Sequence, residues 1–345
     1  MKFFLKKGII FIMVFALVGC GRVAPKAWSY TDTAMGTVIH QGIYCEEEEI
    51  ARNFSQKAME ELEHLEQETL SWRLETAEVY KINASAGSEE GYLLSKKMGA
   101  LLWDCMALSE ASEGAFDIGI GALVRLWDID RWAAQAQTGV YQVPSEEEVR
   151  MALQLCSGQI RLEAETNRVY LPEGMGLDLG AVGKGIALTE IQSLLEKEEA
   201  ISGAVISVGG SILTYGKKAD GTNWIVGITD PFGTSDYIGT LSLDGQWCVS
   251  TSGNYERYVE VDGVRYHHIL DPATGYPADR GVSSVTVLSE NGMLSDGLST
   301  ACFILGPKKG MTLAEKYGVE VLYILDDGSI ILSEGMKPYW TQRGQ

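Results

Sequence analysis

Apolar residues at Ile50, Phe54, Ala58, Leu62 and Leu65 recur every three or four positions, a period that predicts a helix over residues 46–70. Glu46 to Glu49 stand where the positive end of its dipole falls, so they read as a solvated helix start rather than a metal site. A second helical stretch runs over 92–111. A third opens at Ser145 with Glu148 three residues on, a capping box, and puts Val149, Ala152, Leu153 and Cys156 on one side. A fourth follows Lys184, carried by Ile186, Ile191, Leu194 and Leu195. From there the pattern becomes strand-like. Strands are predicted over 204–208, 224–228, 237–243, 246–250, 257–261, 264–270 and 283–288. Asp244-Gly245 and Asp262-Gly263 each separate alternating runs and mark hairpin turns. Helices return over 294–305 and 307–317, followed by strands over 319–325 and 329–332 around Asp327-Gly328. Helices, then antiparallel hairpins, then a last helical pair predict an α+β fold. We expect mixed or antiparallel sheets with packed helices in a single catalytic domain over 31–345.

The N-terminus breaks this pattern. Lys2, Lys6 and Lys7 precede an apolar run over 8–19, which is too short to span a bilayer and has the length of a signal-peptide core. It ends in Leu17-Val18-Gly19-Cys20, which looks like a bacterial lipobox. In that reading residues 1–19 are removed, Cys20 is diacylated, and residues 20–30 tether the domain to the membrane outside the cytoplasm. The remaining cysteines, Cys45, Cys105, Cys156, Cys248 and Cys302, are far apart and form no C-x-x-C pair, so they read as small core residues.

Charge narrows the function. With 28 Lys+Arg against 47 Asp+Glu the net charge is −19, and losing the three N-terminal lysines takes it to −22. Such a chain has no basic footprint for nucleic acid. Its 46% hydrophobic content excludes an acidic disordered chain. Familiar nucleotide motifs also fail. Around Gly183-Lys184 a P-loop would need glycine where Asp178 stands and a hydroxyl where Gly185 stands; a dinucleotide fingerprint would need glycine at Leu188. His267 and His268 are adjacent on a predicted strand, point to opposite faces and cannot chelate one metal together. His40 and His64 read as surface residues.

Several clusters carry chemistry. In Leu177-Asp178-Leu179-Gly180-Ala181-Val182-Gly183-Lys184-Gly185, the three glycines would let backbone approach a ligand, and the N–H groups opening the next helix could receive phosphate oxygens. Lys184 adds a point charge and Asp178 an acceptor, although a tight turn with a helix cap would use the same residues. Asp296 and Thr300, four apart at a helix start, face one way and offer hard oxygens that suit Mg²⁺, or simply cap the helix. His268, just before Asp271-Pro272, is either a general base or a core histidine. The stretch from Asp271 to Pro277 reads as a rigid loop.

Together AMGT at 34–37, GAFDIGIG at 114–121, DLGAVGKG at 178–185, SVGGS at 207–211, SGNYERY at 252–258, HHILDPATGYP at 267–277 and SDGLSTA at 295–301 resemble the ApbE family of flavin transferases, in order and spacing, from about residue 30 to 335. The resemblance implies an α+β lipoprotein or secreted enzyme that binds FAD with Mg²⁺, moves its FMN moiety to a threonine hydroxyl of an acceptor protein and releases AMP. The acceptor would be a membrane redox subunit. It implies that Met35 and Trp72 flank the flavin, with Ala115, Phe116 and Asp117 in the same pocket. Asp178 and Lys184 would hold the adenosine and phosphate side, and Leu270 would pack on the cofactor. The Ala181 carbonyl, Asp296 and Thr300 would ligate Mg²⁺, and His268 would deprotonate the threonine. His267 stands where the family often has serine. Two rival readings remain open: a hydrolase that splits FAD with water, and a lipoprotein that only binds flavin.

Overall fold

The structure, a computed structural model, describes residues 25–134 and 140–344. The expected signal segment, the lipobox-like stretch with Cys20 and residues 20–24 of the expected tether lie outside the described residues. Residues 26–30, expected in the tether, are part of the fold: strand β1 (Lys26–Ala34) begins at Lys26 and pairs along its whole length with β2 (Thr37–Cys45). Trp28 and Tyr30 anchor it through half-buried rings. Its turn is the AMGT motif: Met35 and Gly36 both have positive φ, 52° and 67°, as a two-residue hairpin turn requires.

Helix α1 (Glu48–His64) follows and widens into one π-helical turn over Leu65–Leu70, so the 46–70 stretch is helical as expected. After α2 (Glu78–Ala84), Tyr92 and Leu93 are not helical. They form β3 (Tyr92–Leu93), and α3 (Lys96–Ala111) starts only where the Ser95 hydroxyl accepts the Met98 N–H. Short helices α4 (Gly121–Trp127) and α5 (Ile129–Ala134) come next. Then α6 (Glu146–Cys156) opens on the expected capping box. Strands β4 (Arg161–Glu163) and β5 (Arg168–Tyr170) complete a small sheet with β3.

Helix α7 (Gly180–Leu195) starts four residues before Lys184, so most of the glycine-rich motif is helix rather than loop. This corrects one expectation. Gly185 does not admit a ligand: a Cβ there would lie 2.2 Å from the Gly292 carbonyl oxygen on the helix that crosses it. At Gly183 the nearest atom would be Met35 Cε at 3.9 Å. We expect Gly185→Ala to cost about 3 kcal/mol, since backbone cannot yield, and Gly183→Ala to be near neutral. Equal denaturation midpoints for the two variants would refute this.

The second half holds the strands β6 (Ile201–Val208), β7 (Ser211–Gly216), β8 (Trp224–Thr229), β9 (Tyr237–Leu243) and β10 (Trp247–Gly253). The hairpin β11 (Tyr258–Val261) and β12 (Val264–His267) precedes β13 (Val282–Ser289). Helix α8 (Gly292–Tyr317) unites the two expected final helices across a kink at Gly306, just before Pro307. The chain closes with β14 (Glu320–Leu325), β15 (Ile330–Leu332) and β16 (Trp340–Gln342).

One antiparallel sheet of eight strands, in the order β1-β2-β6-β7-β10-β13-β14-β15, organises the α+β fold. Helices α1, α7 and α8 cover one face, and the sheet β16-β9-β8 covers the other through Trp224, Val226, Leu241, Val249 and Leu322. Each such side chain contributes about 1.5–3 kcal/mol on burial. Lying between two covered faces, β13 is buried at every position. Asp262-Gly263 turns the β11–β12 hairpin as expected, but Asp244-Gly245 does not make one. It joins β9 to β10, which belong to different sheets. The five cysteines from Cys45 to Cys302 are buried free thiols.

Candidate functional site

A satellite cluster of α4, α6 and the β11–β12 region packs around Trp127, whose indole N–H donates to the Gly275 carbonyl at 2.8 Å. A cavity of about 260 Å³ opens in the seam between this cluster and the main core. Phe116, Ile120, Val124, Trp127, Leu270 and Ile304 give it apolar walls. Arg73, Lys184 and Arg257 bring positive charge to an otherwise acidic chain, facing Asp117, Asp128, Asp130, Asp178 and Glu256.

Nine of the residues singled out in the sequence line this cavity: Ala115, Phe116, Asp117, Asp178, Ala181, Lys184, His268, Leu270 and Thr300. Three do not. Met35 sits on the hairpin tip, where its N–H donates to Glu66 Oε2 at 2.9 Å. Trp72 hydrogen-bonds the Asp178 side chain and carries the Arg73 guanidinium 3.9 Å over its ring. Asp296 lies under the wall, 2% exposed. Burial pushes the carboxyl groups of Asp117 and Asp178 above their usual range, each offset by a backbone N–H, from Gly119 and Gly180 respectively.

The two histidines separate cleanly. His267 Nε2 donates to the Ala278 carbonyl at 3.0 Å while its Nδ1 accepts the Ile269 N–H, so both ring nitrogens serve the scaffold. The ladder of β12 ends there, shorter than expected, and the chain turns so that Leu270 bridges Pro277. His268 faces the cavity. Its Nδ1 meets the Arg257 carbonyl at 3.2 Å, and a carbonyl only accepts, so the neutral ring carries its proton on Nδ1 and leaves the Nε2 lone pair free. Burial lowers the imidazole pKa to about 4; Asp130 opposes this and Arg257 and Lys184 reinforce it. The loop beyond is rigid, as expected: Asp271 accepts the Ala273 N–H and pairs with Arg280 at 3.0 Å.

Asp296 has a demanding position. Its Oδ2 accepts the Gly185 N–H at 2.8 Å, and its Oδ1 accepts the Ser211 hydroxyl at 3.3 Å and faces Lys184 Nζ at 3.7 Å. One turn along α8, Thr300 Oγ1 lies 3.2 Å from Ser252 Oγ, which also bonds Ser299 at 2.7 Å. These hydroxyls fix both side chains. Among the described residues no three His, Cys, Asp or Glu cluster as a metal site. The set of one carboxylate, one hydroxyl and a backbone carbonyl nevertheless fits Mg²⁺, which takes few protein ligands and completes its shell with water and phosphate. The Lys184 ammonium already offsets part of the Asp296 charge, so the fit to a metal rests on the hard oxygen donors.

No local signal pointed to Asp128 or Asp130, which stand in the short run LWDIDRW without a recognisable spacing. Glu256 and Arg257 fall within SGNYERY, but nothing local showed that they would reach the cavity.

The ApbE family model matches residues 35–323. A FAD:protein FMN transferase of Treponema pallidum is 32% identical, covering 95% of this chain and 93% of its own. One from Klebsiella pneumoniae is 33% identical, over 89% and 92%. Among solved structures, the ApbE protein of Thermotoga maritima superposes with a TM-score of 0.79 at 32% identity, covering 91% of this chain and 99% of its own. The flavin transferase ApbE of Vibrio cholerae gives 0.78 at 26%, with the same coverage. With a match across most of the chain and relatives similar along nearly their whole length, this protein belongs to the ApbE family.

Proposed function

We propose that the chain is a FAD:protein FMN transferase that moves the FMN moiety of FAD to a threonine hydroxyl of an acceptor protein and releases AMP. The observation that carries this is His268, with a free Nε2, in one cavity with Lys184 and Thr300 and with Asp296 directly beneath. A mere flavin carrier would need neither base nor cation site. In this reading His268 Nε2 takes the threonine proton while the hydroxyl oxygen attacks the FMN phosphorus. The bond from that phosphorus to the bridging oxygen breaks, and AMP leaves with the electron pair. Lys184 balances phosphate charge, and the apolar walls hold the flavin and limit water. Asp296, Thr300 and the Ala181 carbonyl would hold Mg²⁺, which neutralises charge on the phosphate oxygens. Asp117 and Asp178, whose pKa values burial raises, would serve as hydrogen-bonding groups for flavin or adenine edges.

The same proposal puts the protein outside the cytoplasm, held by acyl groups on Cys20 and acting on a membrane redox subunit. No helix among the described residues is long and apolar enough to cross a membrane. The test is incubation with FAD, Mg²⁺ and a threonine-bearing acceptor, read by in-gel flavin fluorescence and AMP release. Covalent fluorescence with AMP is expected. AMP without labelling would mean a hydrolase, and neither would sink the enzymatic reading.

A further inference from the structure

We infer that Asp130 is a positioning residue for His268, acting across Arg257 to hold the imidazole and to stabilise the imidazolium formed when the acceptor proton arrives. This rests on the reading of His268 as the base. The geometry is a relay through one residue. The Arg257 carbonyl receives both the backbone N–H of His268, at 3.1 Å, and its ring Nδ1–H, at 3.2 Å. The guanidinium of the same Arg257 meets Asp130 Oδ1 at 3.2 Å. Helix α5 packs against β11, so the pair ties α5 to the hairpin whose second strand ends beside the base.

An ordinary surface ion pair would leave both carboxylate oxygens wet. The Arg257 and Asp130 side chains are 40% and 37% exposed, yet Asp130 Oδ1 itself is shielded from solvent and accepts no well-aligned hydrogen bond, so its charge is left to act on its neighbours. The charges facing His268 give it a use. Arg257, just before β11, and Lys184, from α7, both disfavour a second cation, as does burial; Asp130, from α5, is the chief opposing anion. Glu256 lines the same cavity, but burial raises its pKa, and the charges of Lys184 and Arg257 act on it. Asp117, Asp128 and Asp178 complete the acidic wall. Without Asp130 the imidazole would be a weaker base still, and the imidazolium formed during transfer would lose its chief opposing anion.

The test uses histidine ring resonances of the whole protein, free of FAD and metal, with His268→Ala assigning the signal among the four histidines. Asp130→Asn should move the His268 titration to lower pH and Arg257→Gln to higher pH, each by about one unit. The acidic limb of kcat/KM should follow in the same directions. A purely structural clasp would move both variants the same way or neither, and either result overturns the proposal. Should Asp130→Asn fail to fold, the Arg257→Gln shift decides: a move to lower pH, or none, overturns it. If the resonances shift as expected but the kinetic limb does not, the imidazole is not the base, and the proposal falls together with that reading rather than by its own geometry.

Discussion

Replacing His268 by alanine is expected to lower the transfer rate by about 10²- to 10⁴-fold, the usual contribution of general base catalysis, while FAD still binds. The side chain lines the cavity, and its removal leaves Arg73, Lys184 and the apolar walls in place. The pH dependence follows from the same environment. With its pKa pushed down to about 4 by burial, His268 is neutral, and so competent as a base, at any pH well above that value. Activity due to this group should therefore be flat through neutrality and fall only as pH drops toward 4, rather than near the 6.5 of an exposed imidazole. Single-turnover transfer at several pH values, with fluorescence quenching to report FAD binding, checks both statements. Loss of FAD binding in a folded His268→Ala protein would argue against the base assignment.

The second large effect is expected at Asp296. Its carboxylate is deeply buried and engages the Gly185 N–H, the Ser211 hydroxyl and the Lys184 ammonium. Asp296→Ala leaves three donors facing a void, and removing one partner of such a buried pair costs about 3–5 kcal/mol. Asp296→Asn separates stability from chemistry. The amide oxygen still accepts the Gly185 N–H, but the negative charge that would hold Mg²⁺ is gone. We expect it to lose less stability than Asp296→Ala, to transfer FMN at least about 100-fold more slowly, and to bind FAD without response to Mg²⁺. In the parent, FAD binding should depend steeply on Mg²⁺, because an acidic chain and an anionic pyrophosphate need a cation between them. An Asp296→Asn protein with unchanged Mg²⁺ activation would refute the ligand assignment.

How much of this was legible depended on the range over which each signal acts. The capping box at Ser145, the Asp262-Gly263 hairpin and the four-residue step from Asp296 to Thr300 are local, and all three are seen in the fold. Asp244-Gly245 has the same two residues as the hairpin turn, yet β9 pairs with β8 and β16 while β10 pairs with β7 and β13. A turn signal reverses the chain; it does not choose the partner strand. Gly185 shows the same limit. Its missing side chain was plain, but whether a ligand or another helix occupied the space depended on Gly292, over a hundred residues away.

The sequence by itself determined the α+β class and the family, and it nominated nine residues that the fold brings to one cavity, because periodicity, capping and short motifs act over a few neighbouring positions. Tertiary structure decided which of two adjacent histidines keeps a free nitrogen, which glycine serves packing, and that Asp130 meets Arg257 beside His268. Those outcomes depend on burial and on charges brought together from distant segments, and neither exists until the chain has folded.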